Sequence, residues 1–235
     1  MKSLLCKQFG PIDDLVIEDG PIPVAAPGKV VINVKAASLN FPDALMVQGL
    51  YQVKPPTPFV PGAEYAGIVH AVGEGVAHIK AGDRVAAFTG YGGFTEYAVA
   101  DAMRVMPMPP SMSFEQGAAF VLTYATSYHA LKDVANLQSG ETLLVLGAAG
   151  GVGTTAIQLA KIMGATVIAA ASSAEKLALC TSLGADHAIN YSAADWRDQV
   201  NAIVGKKGVD VVYDAVGGPY AEPALRCVGW RGRYL

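Results

Sequence analysis

A run of closely spaced glycines near the middle of the chain constrains the fold more than any other feature. The run lies in "VLGAAGGVGTTAIQLAK" (Val145–Lys161), between a short apolar stretch and a helix-like pattern of apolar residues spaced three and four apart. A turn of this kind either holds a phosphate group or lets a helix pack closely on a strand. The surrounding sequence has to distinguish the two.

The sequence after Pro110 alternates between strand-like and helix-like segments. Repeated βα units of this length predict an α/β fold with a mostly parallel, doubly wound sheet, and the glycine run lies in the first unit. The predicted strands are "TLLVL", "TVIAA", "HAIN", "VDVVYDAV" and "GRYL", and the predicted helices are Val152–Met163, Ala174–Leu183, Ala194–Val204 and Tyr220–Val228.

The sequence before Pro110 consists of short β-like stretches broken by proline and glycine. "KVVINVKAA" (Lys29–Ala37) alternates with the period of two that is typical of a strand. "AGIVHAVGEGV", "AGDRVAAF" and "GGFTEYAVA" predict further strands, so we expect a small barrel or sandwich. Ser113 and Gln116 then form the pattern of a helix capping box.

These patterns predict two domains, residues 1–118 and residues 119–235. The last predicted strand begins at "GRYL" and the chain stops there. We therefore expect the sheet to be incomplete at its C-terminal end and the chain to be a fragment of a longer polypeptide.

Composition excludes several classes of protein. Hydrophobic residues make up 52% and charged residues 16%, which is typical of a globular protein with a large core. We find no signal peptide and no apolar run long enough to span a membrane. A net charge of −3 without a basic run argues against nucleic acid as a partner. Three widely spaced cysteines argue against a disulfide framework and indicate thiols in a reducing cytoplasm: Cys6, Cys180 and Cys227.

The glycine run fits a dinucleotide site in this context. Measured against G-x-G-x-x-G it has Ala148, Gly150 and Gly153 in the three slots, with an additional Gly151. Gly150 and Gly151 would let the backbone approach a pyrophosphate, whose charge would face the helix N–H groups. Gly153 would let the helix lie against the strand. Close packing without a ligand is the alternative.

The residues after the second predicted strand favour NADPH over NADH. An NAD site usually has an acidic residue about 20 residues after the glycines, to bind the ribose 2′-hydroxyl. Ala170 and Ala171 occupy that place, and Ser172 and Lys176 follow with groups suited to a 2′-phosphate. As an alternative, Ser172 and Glu175 form a capping box and Lys176 points into water.

Four motifs together resemble the medium-chain dehydrogenase/reductase superfamily, in its zinc-free quinone oxidoreductase (zeta-crystallin-like) branch. They are "AASLNFPDALMVQGLY", "PFVPGAEYAGIVHAVGEGVAHIKAGDRV", "GAAGGVGTTAIQLAK" and "LGADHAINY". The resemblance implies a chaperonin-10-like β domain followed by a Rossmann domain. It also implies that a segment returning to the first domain is absent here, and that the full-length protein is a homodimer.

The resemblance further implies chemistry without a metal. The zinc-dependent branch has cysteine at the place of Asn40 and histidine at the place of Ala63, and neither residue found here can replace such a ligand. The simplest reaction is then direct hydride transfer from NADPH to a small-molecule acceptor, either a quinone or the β-carbon of an enone.

By the same resemblance, eleven residues form the site. Asn40, Asp43 and Tyr51 are the candidates for catalysis, although Asp43 could be a local cap and Tyr51 a pocket wall. Asn40 would also reach the nicotinamide, and Thr126 would lie beneath it. The pyrophosphate would contact Ala149, Gly150, Gly151 and Val152, and the 2′-phosphate would contact Ser172, Lys176 and Tyr191.

Two other functions stay open at this point. An enoyl-thioester reductase would need a defined proton donor and a cationic groove for the phosphates of coenzyme A, and the sequence has no clear cluster of that kind. A non-catalytic NADPH-binding protein, structural or redox-sensing, is consistent with the lack of an assured catalytic acid.

Overall fold

The computed structural model describes residues 1–235 and divides into two compact units, Met1–Leu122 and Thr123–Leu235. The boundary predicted from the sequence, between residues 118 and 119, falls at the end of a short helix, Phe114–Ala118, four residues before this division. None of the helices is both long and apolar enough to cross a membrane.

The first unit is built on antiparallel strands. Strands β1 (Lys2–Leu5) and β2 (Val16–Asp19) form a separate hairpin, and five strands form a sheet of order β6-β3-β4-β5-β7. The strands of that sheet are β3 (Lys29–Ala37), β4 (Glu64–Val72), β5 (Arg84–Phe88), β6 (Tyr97–Asp101) and β7 (Val105–Pro107), and the helices are α1 (Phe41–Val47) and α2 (Phe114–Ala118).

Alternation along β3 explains how this sheet forms its core. Val30 and Ile32 are fully buried in one apolar cluster with side chains from β4, β5 and β6. Val31 lies outside that cluster but is also fully buried. At the end of the unit, Ser113 and Gln116 form the predicted capping box of α2, which is thereby confirmed.

The second unit is a parallel α/β sheet of order β10-β9-β8-β11-β12, which confirms the predicted doubly wound fold. Most of helix α3 (Val121–Tyr128) belongs to it and continues as a π-helical turn, His129–Val134. The other elements are β8 (Thr142–Leu146), α4 (Gly151–Ile162), β9 (Thr166–Ala171), α5 (Ala174–Ser182), β10 (His187–Asn190), α6 (Trp196–Val204), β11 (Val209–Asp214), α7 (Ala221–Leu225) and β12 (Val228–Tyr234).

Strand β8 is buried on both faces, as the central strand of a doubly wound sheet should be. Leu143 and Val145 enter the cluster that contains α4, whereas Leu144 and Leu146 enter the cluster that contains Trp196 of α6. All four β8 side chains are fully buried. This burial fixes the end of β8, and with it the position of the glycine turn that follows.

The predicted helix Tyr220–Val228 is wrong in its extent. Gly218–Tyr220 is a single 3₁₀ turn, and α7 covers only Ala221–Leu225. Val228 instead begins β12 and pairs with Val209, because the following Trp and Tyr favour an extended strand. Helix α6 likewise starts at Trp196, two residues later than predicted.

A bidentate ion pair connects strand β12 to the turn before β8. The Arg233 guanidinium donates to both carboxylate oxygens of Glu141, at 2.9 and 2.6 Å, and to the Ala135 carbonyl at 2.9 Å. Both side chains are less than one-third exposed. The hydrogen bonds from Arg233 hold the pKa of Glu141 below its ordinary value.

We expect Glu141→Gln to lower the free energy of unfolding by about 1–2 kcal/mol at neutral pH, because one charged partner of Arg233 is lost. Since the pKa of Glu141 is lowered by folding, its contribution is complete above its ordinary pKa and is lost as the pH falls through the lowered value. Urea denaturation at neutral and acidic pH should therefore show the difference shrinking in acid.

The exposed pair Glu222–Arg226 provides the control for this experiment. Glu222→Gln should have a much smaller effect, which added salt should remove. A Glu141→Gln deficit that is constant with pH would contradict the assignment.

Candidate functional site

The glycine turn directly follows β8 and opens α4. Gly147 adopts a positive φ of 66°, and Gly150 is the extended N-cap residue whose N–H donates to the Gly147 carbonyl at 2.9 Å. The first helical hydrogen bond at this end runs from the Thr154 N–H to the Gly150 carbonyl. The N–H groups of residues 151–153 precede that bond, so they form the positive end of α4 that suits an anion.

The glycines of the turn have different roles. A Cβ on Gly153 would lie 2.4 Å from the Gly147 carbonyl oxygen and 2.7 Å from Ala148 backbone atoms, which no side chain can tolerate. A Cβ on Gly150 would meet the same oxygen at 3.3 Å, a tight approach that a shift of a few tenths of an ångström would relieve. Gly153 is therefore required for packing, whereas the absence of a side chain at Gly150 leaves room above the turn.

A cavity of about 240 Å³ lies beside this turn. It brings together the turn, the end of β9, the first turn of α5 and the residue after β10. Its lining residues are Gly147, Ala149, Gly150, Ala171, Lys176 and Tyr191. Four of the residues predicted to bind a dinucleotide thus share one cavity with Ala171, which occupies the place of the missing acid, and with Gly147, which was not assigned to the site.

The predicted capping box between Ser172 and Glu175 is wrong. Helix α5 begins at Ala174, so Ser173 is its N-cap, and the Ser173 hydroxyl accepts from the Lys176 N–H at 3.4 Å. The Ser172 hydroxyl is instead 3.1 Å from the Lys176 ammonium, which donates to it. Ser172 and Lys176 consequently form one polar pair, of which Lys176 lines the cavity.

Tyr220 is a neighbour of this cavity that the sequence analysis did not assign to the site. Its ring packs on that of Tyr191 with centroids 4.7 Å apart and planes inclined by 50°. The sequence predicted Tyr220 only as the first residue of a helix, and that position gave no reason to expect a contact with another aromatic ring. The ring of Tyr191 is thereby packed against another part of the second unit and does not project freely into solvent.

Two buried hydroxyls under α4 also escaped the sequence analysis. Ser127 donates to the Val152 carbonyl at 2.8 Å and lies 2.9 Å from the Thr155 hydroxyl. Both hydroxyl-bearing residues are buried. They hold α3 against the first turn of α4. Thr126, which was predicted to lie beneath the nicotinamide, is the residue before Ser127 on α3, and its side chain is exposed. The pattern "TYATSYHA" contained the signal, since serine inside an apolar helix needs a partner.

In the first unit, Asn40 and Asp43 meet at the N-terminus of α1. The Asp43 carboxylate accepts the backbone N–H of Asn40 at 2.8 Å, and Asp43 is only 2% exposed. Burial raises the pKa of Asp43, while the hydrogen bond from Asn40 opposes that rise. The arrangement gives Asp43 the capping role that the sequence analysis left open for it.

An apolar cavity of about 450 Å³ opens beside Asn40 and Asp43. These two are the polar residues among its walls, whose apolar members include Leu4, Ile12, Leu15, Leu39, Phe41 and Phe94. Tyr51 is not among them. It is half-buried and packs against the small apolar cluster of Cys6, Met46, Val47 and Phe59.

Glu64 is the polar residue of this region that was not predicted. It is fully buried at the start of β4, where it accepts hydrogen bonds from Ser38, Asn40 and Leu122. A single charged residue within the apolar and small residues of "PGAEYAGIV" was the available signal, because a buried carboxylate has to be satisfied by donors.

Two family models match the chain, one in each unit. The alcohol dehydrogenase GroES-like domain matches residues 26–110, and the zinc-binding dehydrogenase model matches residues 151–235. The second name refers to zinc, whereas the chain has Asn40 and Ala63 at the positions discussed above. No group of three or more His, Cys, Asp or Glu side chains is arranged to hold a metal ion.

Individual relatives cover nearly the whole chain. The rat synaptic vesicle membrane protein VAT-1 homolog is 39% identical over 93% of the chain, which spans 54% of that relative. The rat quinone oxidoreductase is 34% identical over 100% of the chain and is itself covered to 72%. The structure of Escherichia coli quinone oxidoreductase complexed with NADPH matches with a TM-score of 0.91 and 35% identity, covering 100% of this chain and 72% of that one.

We expect Gly153→Ala to lower the free energy of unfolding by about 1–3 kcal/mol, because the methyl group overlaps backbone that cannot move freely. Thermal denaturation followed by circular dichroism measures the change. Gly20→Ala is the matched control, since a Cβ there meets nothing within 4 Å. Equal stability of the two variants would show that α4 does not need its close approach to the turn.

Proposed function

This chain belongs to the medium-chain dehydrogenase/reductase superfamily, in its zinc-free quinone oxidoreductase branch, and we propose that it is an NADPH-dependent oxidoreductase. The proposed acceptor is a quinone or an α,β-unsaturated carbonyl compound. The observation that carries the proposal is the cavity in which the glycine turn, Lys176 and Tyr191 meet.

The second unit has the groups that a dinucleotide phosphate requires. The N–H groups at the start of α4 would bind the pyrophosphate, with the backbone of Ala149, Gly150, Gly151 and Val152 around it. No side chain hinders this approach at Gly150 and Gly151. The hydroxyls of Ser127 and Thr155 in the neighbouring α3–α4 contact hold this backbone in place without occupying the cavity.

The end of β9 supports the 2′-phosphate and therefore NADPH. Ala170 and Ala171 end the strand with apolar, buried side chains, so the acid that would bind a 2′-hydroxyl is missing there. Lys176, which lines the cavity, instead places its ammonium 3.1 Å from the Ser172 hydroxyl. A phosphate can accept from both, and such charge-assisted hydrogen bonds are strong. Tyr191, backed by Tyr220, would cover the adenosine.

The apolar cavity of the first unit supports an uncharged acceptor. Its volume of about 450 Å³ is within the range of small-molecule sites, and its walls are apolar apart from Asn40 and Asp43. A quinone or enone ring would be held there by apolar contacts that also exclude water. When bound, the reduced nicotinamide supplies a hydride to such an electron-poor acceptor.

The proton that must follow the hydride has two candidate donors. Asp43 is the better placed, because it lines the cavity and burial raises its pKa. Tyr51 packs against the cluster that contains Met46 and Phe59 and does not line the cavity. We therefore propose that Asp43 anchors α1 and is the nearer acid, and that Tyr51 supports the cavity from behind.

Steady-state oxidation of NADPH tests the function. Three panels of acceptors are compared: quinones, enones, and crotonyl-coenzyme A. We expect turnover with members of the first two panels. Turnover with crotonyl-coenzyme A alone would favour an enoyl-thioester reductase. Tight NADPH binding without turnover of any acceptor would leave a non-catalytic nucleotide-binding protein.

We expect Lys176→Ala to weaken NADPH binding roughly 10- to 100-fold, because the ammonium no longer pairs with the 2′-phosphate. NADH binding should change little, since NADH lacks that phosphate. Dissociation constants for both cofactors, measured by nicotinamide fluorescence, provide the comparison. Lys132→Ala removes an exposed lysine elsewhere and is the control. An equal loss for both cofactors would contradict the assignment.

A further inference from the structure

The buried carboxylate of Glu64 accepts hydrogen bonds on both of its oxygens. One oxygen accepts from the Ser38 hydroxyl at 2.8 Å and from the Asn40 side-chain nitrogen at 3.2 Å. The other accepts from the Leu122 backbone N–H at 2.9 Å. Glu64 has no solvent exposure, so each of these donors replaces hydration that the carboxylate has lost.

This arrangement determines which way round the Asn40 carboxamide lies. The Asn40 nitrogen faces both the Glu64 carboxylate and the Ser38 hydroxyl, which lies 2.9 Å away, and these two acceptors are neighbours of each other, so the nitrogen side of the carboxamide points toward this pair. In the reverse orientation, the carboxamide oxygen would face a carboxylate oxygen, and two acceptors would repel each other. The carbonyl oxygen is therefore the atom that Asn40 can offer to a ligand in the adjoining cavity.

We propose that Glu64 is a positioning residue that fixes Asn40 as a hydrogen-bond acceptor. This inference rests on the proposed function and refines it. A ligand group that approaches the outward-facing Asn40 oxygen must then be a donor, such as a ribose hydroxyl or the amide of the nicotinamide.

Exchanging the two side-chain types tests this polarity. In Glu64→Gln, the oxygen of the new glutamine keeps the hydrogen bond from the Leu122 N–H, so the glutamine nitrogen faces Asn40. The Asn40 carboxamide then has to turn over, so that its oxygen points toward the glutamine and no longer toward the ligand. In the double variant Glu64→Gln/Asn40→Asp, the aspartate accepts from the glutamine and still offers an oxygen to the ligand. Ser38 can reverse its donor and acceptor roles, and the total charge is unchanged.

We expect each single variant to lower kcat/KM for NADPH roughly tenfold or more, because a hydrogen bond to a positioned group is lost. The double variant should return to within about threefold of the original chain. Glu74→Gln, which removes an exposed carboxylate, controls for the change of charge. Kinetics of the double variant that stay at the level of the single variants would overturn the proposal, even if its stability recovers, since Glu64 would then be only structural.

The free energies of unfolding of the original chain, the two single variants and the double variant test the contact between Glu64 and Asn40 without an activity measurement. Asn40→Asp alone places two carboxylates together, which raises the pKa of one of them in the folded state. Its stability should therefore fall as the pH rises from about 4 to 7, and Glu64→Gln should cancel that fall. Without such cancellation, Glu64 does not face the Asn40 nitrogen and the proposal fails.

The two measurements separate this inference from the proposed function. If the original chain neither binds nor oxidises NADPH, the proposed function fails, and the free energies of unfolding still decide whether Glu64 orients Asn40. If the original chain is active and only the exchange fails to restore kcat/KM, the oxidoreductase proposal stands and the role of Glu64 is wrong.

Discussion

The close approach of helix α4 to the turn after β8 is the contact on which the second unit depends. The turn can form only because β8 is buried on both faces, which fixes where Leu146 ends and Gly147 begins. Gly153 then brings the helix backbone within reach of the Gly147 carbonyl. The same geometry leaves the first N–H groups of α4 without helical acceptors, so packing and anion binding are two consequences of one arrangement.

This contact also distinguishes the glycines of the turn. The sequence presents a phosphate loop and a packing turn as alternatives, and the structure gives Gly153 and Gly150 different surroundings. Gly153 meets backbone and is needed for packing, whereas Gly150 borders a cavity and leaves it open. A glycine motif can therefore serve both purposes at once, and its match to a pattern does not by itself identify which glycine serves which.

Periodicity predicted the fold because each strand and helix of the second unit buries a face of its own. Alternation in "TLLVL" and the three-four spacing after Gly151 both follow from local geometry, so they are readable in the sequence. Short elements were harder. Tyr220–Val228 combines a 3₁₀ turn, one helical turn and the start of a strand, and its final conformation depends on pairing with β11.

The contacts of the buried carboxylate could not be predicted from periodicity. Ser38 and Asn40 are close in sequence, but Glu64 and Leu122 lie far from them, and only the folding of the first unit places the three donors around one carboxylate. The sequence shows only that Asn40 cannot replace a zinc thiolate, whereas the structure shows which way its carboxamide lies. A buried carboxylate and a serine hydroxyl that face the nitrogen of an asparagine turn its oxygen outward, and so give an amphoteric side chain an acceptor of defined direction.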